Sequence, residues 1–155
     1  MFHTTWGEIR RARADEAEVI RTLVRRAYAK WIISVGVEPK PMRADYVRAL
    51  AEHEIWAIDG MRSCIALIEL KREPDHLLIV NVAVDPSHQG RGLGRRLLDF
   101  AELEAKRLGL PELRLYTNIR MSENRALYAA RGYRETHQEQ RGEYLIVHMA
   151  KPIAA

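Results

Sequence analysis

The stretch VDPSHQGRGLGRRLL, residues 84–98, carries three glycines and three arginines where an apolar run gives way to a helical pattern. Residues 76–84 before it are mostly apolar, and Pro86 ends strand pairing because its nitrogen carries no hydrogen. Residues 93–108 after it place apolar side chains at helical spacing. The stretch is therefore predicted to be a glycine-rich turn between a buried strand and a long helix.

Such a turn is suited to an anion. Glycine adopts unusual backbone angles and lets the main chain approach a ligand closely. The first amides of a helix lack intrahelical acceptors and lie at its positive end, which favours phosphate. The spacing matches neither the NTPase P-loop nor the dinucleotide-binding motif. The turn is predicted to bind a diphosphate through the backbone around Gly90, Gly92 and Gly94, unless it only caps the helix, and Arg91, Arg95 and Arg96 add positive charge.

The rest of the chain predicts one α/β (α+β) domain, residues 1–155, with a mixed sheet. The element order is β-α-α-β-β-β-α-β-α-β-β, which is not the strict alternation of a doubly wound fold. Strands are expected at residues 7–13, 54–58, 62–71, 76–84, 113–117, 133–140 and 143–150, and helices at residues 14–31, 42–53, 93–108 and 124–130.

Composition excludes several classes of protein. Hydrophobic residues make up 47% and charged residues 30% of the chain, without an apolar run long enough to span a membrane.

Residues 1–7 lack the design of a signal peptide, so a cytoplasmic location is expected. The single cysteine, Cys64, is expected to be a small core residue. The net charge of +4 suits an anionic ligand, but the basic residues are interleaved with acidic ones, which argues against nucleic acid.

Two motifs carry a family resemblance. The spacing Gln89-x-x-Gly92-x-Gly94 resembles the acetyl-CoA-binding signature, Gln/Arg-x-x-Gly-x-Gly/Ala, of the GNAT N-acetyltransferase superfamily. Downstream, NIRMSENRALYAARGYRE resembles the other recurrent block of that family, and the matching residues are Asn124, Ala126, Tyr128, Gly132 and Tyr133. The resemblance covers residues 54–150, whereas the first 50 residues match only in element order.

The resemblance implies a mostly antiparallel sheet that splays between its fourth and fifth strands, flanked by about four helices, with acyl-CoA in the split. The backbone of Val82 and Val84 would pair with the pantetheine arm. The pyrophosphate would be bound by the amides of Gln89, Gly90, Arg91, Gly92, Leu93, Gly94 and Arg95. Asn124 would hydrogen-bond the pantetheine, although an asparagine at that place also suits a helix cap. Acetyl-CoA is then the co-substrate, and no metal is expected.

The implied chemistry is direct attack by a primary amine of a small molecule or peptide in a ternary complex. Tyr128 would be the general acid for the leaving thiolate, unless it only packs, and a backbone amide near Val82 would bind the oxyanion. The base is open. Glu69 lies in the apolar run SCIALIELK, where burial would raise its pKa, or it faces outward on an amphipathic strand. His53 and His88 are weaker choices.

The acceptor pocket is expected near the linker SVGVEPKPMRADY, residues 34–46, and near the last hairpin. Aromatic and apolar residues around the linker would line it, unless they are core residues: Tyr28, Trp31, Met42 and Tyr46. The exposed edges of the sheet also allow a homodimer. Two other functions stay open at this point, an acyl-CoA-binding module without turnover and a nucleic-acid-binding α/β domain. Scattered aromatic residues count against the second.

Overall fold

The computed structural model describes residues 7–154, in which seven strands form one mixed sheet. The spatial order is β1-β2-β3-β4-β5-β7-β6, and every neighbouring pair is antiparallel except the parallel pair β4 and β5. The strands are β1 (Arg10–Arg11), β2 (Glu54–Asp59), β3 (Cys64–Arg72), β4 (Leu77–Val84), β5 (Glu112–Asn118), β6 (Arg134–Arg141) and β7 (Tyr144–Pro152).

Five α-helices cover the two faces of the sheet in the described part of the chain. Helices α1 to α3 pack on one face of β2 to β4, while α4 packs on the other face and α5 lies beside it. The helices are α1 (Ala17–Tyr28), α2 (Trp31–Val35), α3 (Tyr46–Glu52), α4 (Leu93–Arg107) and α5 (Ser122–Ala130). No helix within residues 7–154 is both long and apolar enough to cross a bilayer.

The sheet opens between β4 and β5. These strands pair only through Leu77–Leu113, Leu78–Arg114 and Ile79–Leu115, and beyond that point they diverge. Val80 has no partner on β3, because Asn81 pairs with Glu69 and Ile79 pairs with Leu70. Such a bulge bends a strand and increases its twist, and it lies where the separation starts. The splay predicted between the fourth and fifth strands is confirmed.

Three predicted elements differ from the structure. The first strand, expected over residues 7–13, pairs only at Arg10–Arg11; residues 1–6 lie outside the described part. The first predicted helix is divided, since α1 ends at Tyr28 and α2 starts at Trp31. The second predicted helix starts at Tyr46 rather than Met42, because the proline-containing segment before it forms a 3₁₀ turn and Asp45 caps α3. As a result there are five helices rather than four.

Ion pairs of Arg10 tie β1 to the segment before α1 and to the end of β2. The Arg10 guanidinium donates to both carboxylate oxygens of Glu16 at 2.8 Å and to Asp59 at 2.7 and 3.0 Å. Glu16 is buried, and the hydrogen bonds from Arg10 lower its pKa to about 2. This ion pair therefore stabilises the fold wherever Glu16 is charged.

We predict that Glu16→Gln lowers the free energy of unfolding by about 2 kcal/mol at pH 7. Because the pKa of folded Glu16 is depressed, the difference from wild type should shrink as the pH falls from 4.5 towards 2. Urea unfolding at pH 7 and pH 3 measures this, with the exposed Glu18→Gln as the control. Equal stability losses for both variants at pH 7 would contradict the assignment.

Candidate active site

A cavity occupies the split between β4 and β5; we call it the splay cavity. Its walls come from β4, β5, α1, α5 and the linker, and the residues nearest the split are Val80, Asn81, Val82, Tyr116, Thr117, Asn118, Tyr28, Asn124 and Tyr128. A groove beside the glycine-rich loop, the loop groove, shares four of these residues: Tyr28, Val82, Asn124 and Tyr128. Lys40, Pro41, Arg141 and Tyr144 line the splay cavity but not the loop groove, and we call this part of its lining the linker mouth. The splay cavity therefore adjoins the loop groove through shared residues and extends beyond it to the linker mouth.

The glycine-rich loop presents free amides to the loop groove. Gly90 and Gly92 have φ values of +80° and +83°, which only glycine adopts without strain, and Gly92 is the N-cap of α4. Among the described residues, no backbone hydrogen bond is donated by residues 89–95, and Arg96 is the first to donate, to the Gly92 carbonyl at 3.0 Å. The amides are thus placed for an anion.

Gly94 is glycine for a reason other than backbone strain. Its φ is not positive, and a Cβ built at this position would meet no atom within 4 Å. The fold itself therefore tolerates a side chain there, in the first turn of α4. A ligand lying against the loop would need that space, and so the loop fits a diphosphate.

Two side chains hold the loop in place. Asp85 is buried, accepts hydrogen bonds from the amide and hydroxyl of Ser87 at 3.0 and 2.6 Å, and pairs with Arg26 at 3.0 Å. Gln89 donates to the carbonyl of Val84 at 3.1 Å, which ties the loop to the end of β4. The glutamine of the motif acts here as a positioning residue.

The other residues predicted to contact coenzyme A are placed as follows. The side chains and backbone of Gln89, Gly90, Gly92, Leu93, Gly94 and Arg95 line the loop groove, together with Val82, Val84 and Asn124, while Arg91 does not line it. The carbonyl of Val82 lies 3.0 Å from the Tyr28 hydroxyl. A ligand strand that pairs with β4 must therefore share or displace the contacts that Tyr28 and Gln89 make.

Tyr128 lies at the junction of the loop groove and the splay cavity. Its ring packs edge-on against Tyr133, with centroids 5.8 Å apart. Burial alone raises the pKa of Tyr128 to about 12, so the hydroxyl stays protonated at neutral pH. Among the described residues it has no hydrogen-bond partner, which leaves the proton for a ligand.

Asn124 lies within α5 and does not cap it. It is the third residue of α5, whose N-cap is Met121 without a side-chain hydrogen bond. Its side chain lines both the splay cavity and the loop groove. The alternative of a helix cap, open from the sequence, is wrong.

A buried chain of hydroxyls runs along one wall of the splay cavity. The Tyr28 hydroxyl lies 2.8 Å from the side-chain oxygen of Asn81, whose amide nitrogen donates to Tyr46 at 3.2 Å. Tyr46 in turn donates to the carbonyl of Pro41 at 2.6 Å. The chain links α1, β4 and α3, and it fixes the Tyr28 ring in the wall.

Glu69 faces inward, so the alternative of an outward-facing residue is wrong. It is only 4% exposed and lies across the sheet from Asn81. Its carboxylate is 2.6 Å from Nδ1 of His53, at the end of α3. Burial raises the pKa of Glu69, and the hydrogen bond with His53 opposes that rise.

The Glu69–His53 pair lies beside the splay cavity rather than in its wall. Both residues line a neighbouring hollow under α3, and Asn81, Lys40 and Tyr116 are shared between the two. The sequence did not reveal the pair, since antiparallel pairing of β2 and β3 brings together residues with no local spacing in common.

The residues predicted for the acceptor pocket divide between several places. Tyr28 lines the splay cavity, while Tyr46 lies in the hollow under α3. Trp31 lines the loop groove, with the Lys30 ammonium 5.1 Å from its ring centroid. Met42 is 4% exposed and packs in the core between α1 and α3, so its expected contact with an acceptor is not supported.

Two cations that sequence reasoning missed belong to the linker mouth, away from the residues that the splay cavity shares with the loop groove. The Lys40 ammonium and the Arg141 guanidinium lie 5.9 and 4.8 Å from the centroid of the Tyr116 ring. Tyr144 donates to the carbonyl of Glu38 at 2.8 Å and thereby joins the last hairpin to the linker. Both segments were expected to surround the acceptor, but only the fold shows which side chains meet there.

One group of possible metal ligands occurs in residues 7–154: His137, Glu139 and His148, with ligand atoms within 4.8 Å of one another. The two imidazole rings are stacked at 4.1 Å and nearly parallel, and Nε2 of His148 lies 2.8 Å from a carboxylate oxygen of Glu139. Glu139 is also paired with Arg141 at 2.9 Å. The group is explained by these mutual contacts on the surface of the last hairpin.

The fold and the site define a GNAT-like domain, and comparison with known families identifies it. A model of the acetyltransferase (GNAT) domain matches residues 49–135, more than half of the 155-residue chain. The chain therefore belongs to the GNAT acetyltransferase family, as the two motifs indicated. No curated protein sequence matches the chain at a significant level.

Solved structures share this fold at low sequence identity. The PaiA N-acetyltransferase of Thermoplasma acidophilum, in complex with coenzyme A, is 20% identical, has a TM-score of 0.80 and covers 96% of this chain and 99% of its own. For the ribosomal-protein-S18-alanine N-acetyltransferase of Escherichia coli the values are 21%, 0.73, 96% and 94%. For a GNAT acetyltransferase of Elizabethkingia anophelis with acetyl-CoA bound they are 17%, 0.71, 97% and 100%.

Proposed function

We propose that this protein transfers an acetyl group from acetyl-CoA to a primary amine of a small molecule or peptide. The amine attacks directly while both substrates are bound. The observation that carries the proposal is that the cavity in the splayed sheet adjoins the groove of the free-amide loop, with Tyr128 in the lining of both.

The loop groove binds the co-substrate in this proposal. Acetyl-CoA supplies the activated acyl group as a thioester. The amides of residues 89–95 bind its diphosphate at the positive end of α4. Val82 and Val84 pair with its pantetheine arm, and Asn124 hydrogen-bonds that arm. The placement of these residues along one groove supports the assignment.

In this proposal, residues in and beside the splay cavity carry out the proton transfers. Tyr128 donates its proton to the leaving thiolate, and a β4 amide near Val82 stabilises the charge that develops on the acyl oxygen. Glu69 accepts the proton of the incoming amine through a water, because its carboxylate lies outside the cavity wall. Asn81, between Glu69 and the cavity, orients that water.

We predict that Glu69→Gln lowers kcat/KM about tenfold at pH 7 and removes the acid limb of the pH profile. In the wild type, activity should fall as the pH decreases through the raised pKa of Glu69, since protonation abolishes the base. Initial rates between pH 5 and 9 measure the effect, and Glu73→Gln, paired with Lys71 outside both cavities, is the control. Identical profiles for wild type and Glu69→Gln would rule out the base assignment.

The proposal is tested by calorimetry with coenzyme A and by thiol release from acetyl-CoA across a panel of amines and peptide N-termini. Binding together with amine-dependent thiol release is the expected result. Binding without release from any amine would support the acyl-CoA-binding module instead. If the protein does not bind coenzyme A but binds DNA or RNA in a salt-sensitive way, it is instead a nucleic-acid-binding α/β domain.

A further inference from the structure

The charges around the splay cavity point to one class of acceptor. Of the residues that line it, two are charged, Lys40 and Arg141, and both are cationic. No carboxylate is among those lining residues. We propose that the acceptor amine carries a carboxylate, as an amino acid does, and that Lys40 and Arg141 bind it; this inference rests on the proposed function.

Lys40 is available for such a ligand. Within residues 7–154 its ammonium has no ion-pair partner, and it lies 5.9 Å from the centroid of the Tyr116 ring. Arg141 is partly engaged, because its Nε donates to Glu139 at 2.9 Å. Its terminal nitrogens remain for a second, planar anion, which suits the forked geometry of a guanidinium with a carboxylate.

The two cations lie at the linker mouth and do not line the loop groove. Tyr116, which both of them contact, belongs to the stretch of β5 that has separated from β4. An acceptor carboxylate held over this ring would leave the amine of the same molecule to extend into the cavity towards Tyr128. The mouth thus provides an orientation as well as a charge.

Lys40 and Arg141 also affect how the acceptor amine binds and how readily its ammonium loses a proton. A plain alkylammonium entering the cavity meets like charges, and this repulsion disfavours its binding. A zwitterionic acceptor compensates that cost with its carboxylate. The remaining positive field lowers the pKa of its ammonium and so increases the neutral, nucleophilic form. Binding and activation therefore favour the same class of amine.

The test compares three acceptors that differ at one group: phenylalanine, phenylalaninamide and phenethylamine, with tryptophan, tryptophanamide and tryptamine as a second series. The amides separate the effect of the carboxylate from that of the intrinsic basicity of the amine. We expect kcat/KM for the amino acid to exceed that of its amide at least tenfold in one series or both. A preference for the amide or the plain amine in every series that is turned over would overturn the inference.

Variants at the mouth sharpen the test. Lys40→Gln should raise KM for the amino acid about tenfold and lower kcat by a smaller factor, because less of the bound amine is then neutral, and Lys40→Glu should reverse the order of acid and plain amine. Lys106→Gln removes an exposed cation near the end of α4 and is the matched control. The affinity for coenzyme A should be the same in all three variants, which also shows that they are folded.

The outcomes separate the two proposals. Turnover that is faster with acceptors that lack the carboxylate, or that Lys40→Glu leaves in the original order, refutes the acceptor class and leaves the acetyltransferase proposal in place. Binding of coenzyme A without turnover of any amine refutes the proposed function and the acceptor class with it.

Discussion

Replacing Tyr128 with phenylalanine is expected to lower kcat about 100-fold while the affinity for coenzyme A stays unchanged. The ring stays in place, because its packing against Tyr133 does not involve the hydroxyl. Only the proton donor at the junction of the two cavities is lost. Stopped-flow or thiol-release kinetics give kcat, and calorimetry gives the affinity.

Tyr133→Phe is the matched control for this experiment. The Tyr133 hydroxyl is buried without a hydrogen-bond partner among the described residues, so its removal should leave kcat unchanged and the stability equal or higher. A loss of kcat below threefold in Tyr128→Phe, or equal losses in both variants, would show that Tyr128 only packs.

The pH dependence provides a second check on Tyr128. An acid must be protonated to act, and burial raises the pKa of this hydroxyl to about 12. Tyr128 therefore stays in its active form as the pH rises from 7 to 10. The kcat profile should show no basic limb in that range from this group. A decline centred near pH 10, absent in Tyr128→Phe, would contradict the raised pKa.

Gly94→Asp is expected to weaken binding of coenzyme A about 100-fold and to leave the protein at least as stable as wild type. The loss of affinity and the unchanged or increased stability have separate causes. A carboxylate among the loop amides repels a diphosphate by about 3 kcal/mol at short range. In the first turn of α4 the same substitution removes a helix glycine and places a negative charge at the positive end of the helix.

The Gly94 experiment combines calorimetry for coenzyme A with thermal unfolding of the free protein. Tm should be unchanged or about 2 °C higher. Leu103→Glu, which adds the same charge at an exposed position of α4, should not alter the affinity. Normal affinity in Gly94→Asp would place the diphosphate away from the loop and remove the basis of the proposed function.

Much of the fold follows from patterns that are local in the chain. The helix after the glycine-rich turn runs from Leu93 to Arg107, close to the predicted residues 93–108. The last two strands also lie within two residues of their predicted positions. These elements depend on side-chain periodicity and on turn residues, both of which are visible in short windows of sequence. The structure of the segment between Gly36 and Asp45 was harder to predict, because its two prolines and its 3₁₀ turn interrupt the periodic pattern of apolar side chains.

The placement of the polar site residues depended on contacts between distant segments. Glu69 was ambiguous in the sequence, because an acid within an apolar strand is compatible with either face. The bulge at Val80 and the approach of His53 from α3 resolve it, and neither leaves a mark in the strand itself. Met42 looked like a pocket residue for the converse reason, since an apolar side chain near a linker is compatible with core or cavity.

The sequence by itself determined the family, the mixed sheet and the position of the glycine-rich loop. These properties depend on residues adjacent in the chain, through backbone angles that glycine allows and amides that a helix start leaves unpaired. Only the tertiary structure decided where β4 and β5 separate, that Glu69 is buried against His53, and that Lys40 and Arg141 meet over Tyr116. Those features require segments far apart in the chain to pack together, and packing is a property of the whole fold.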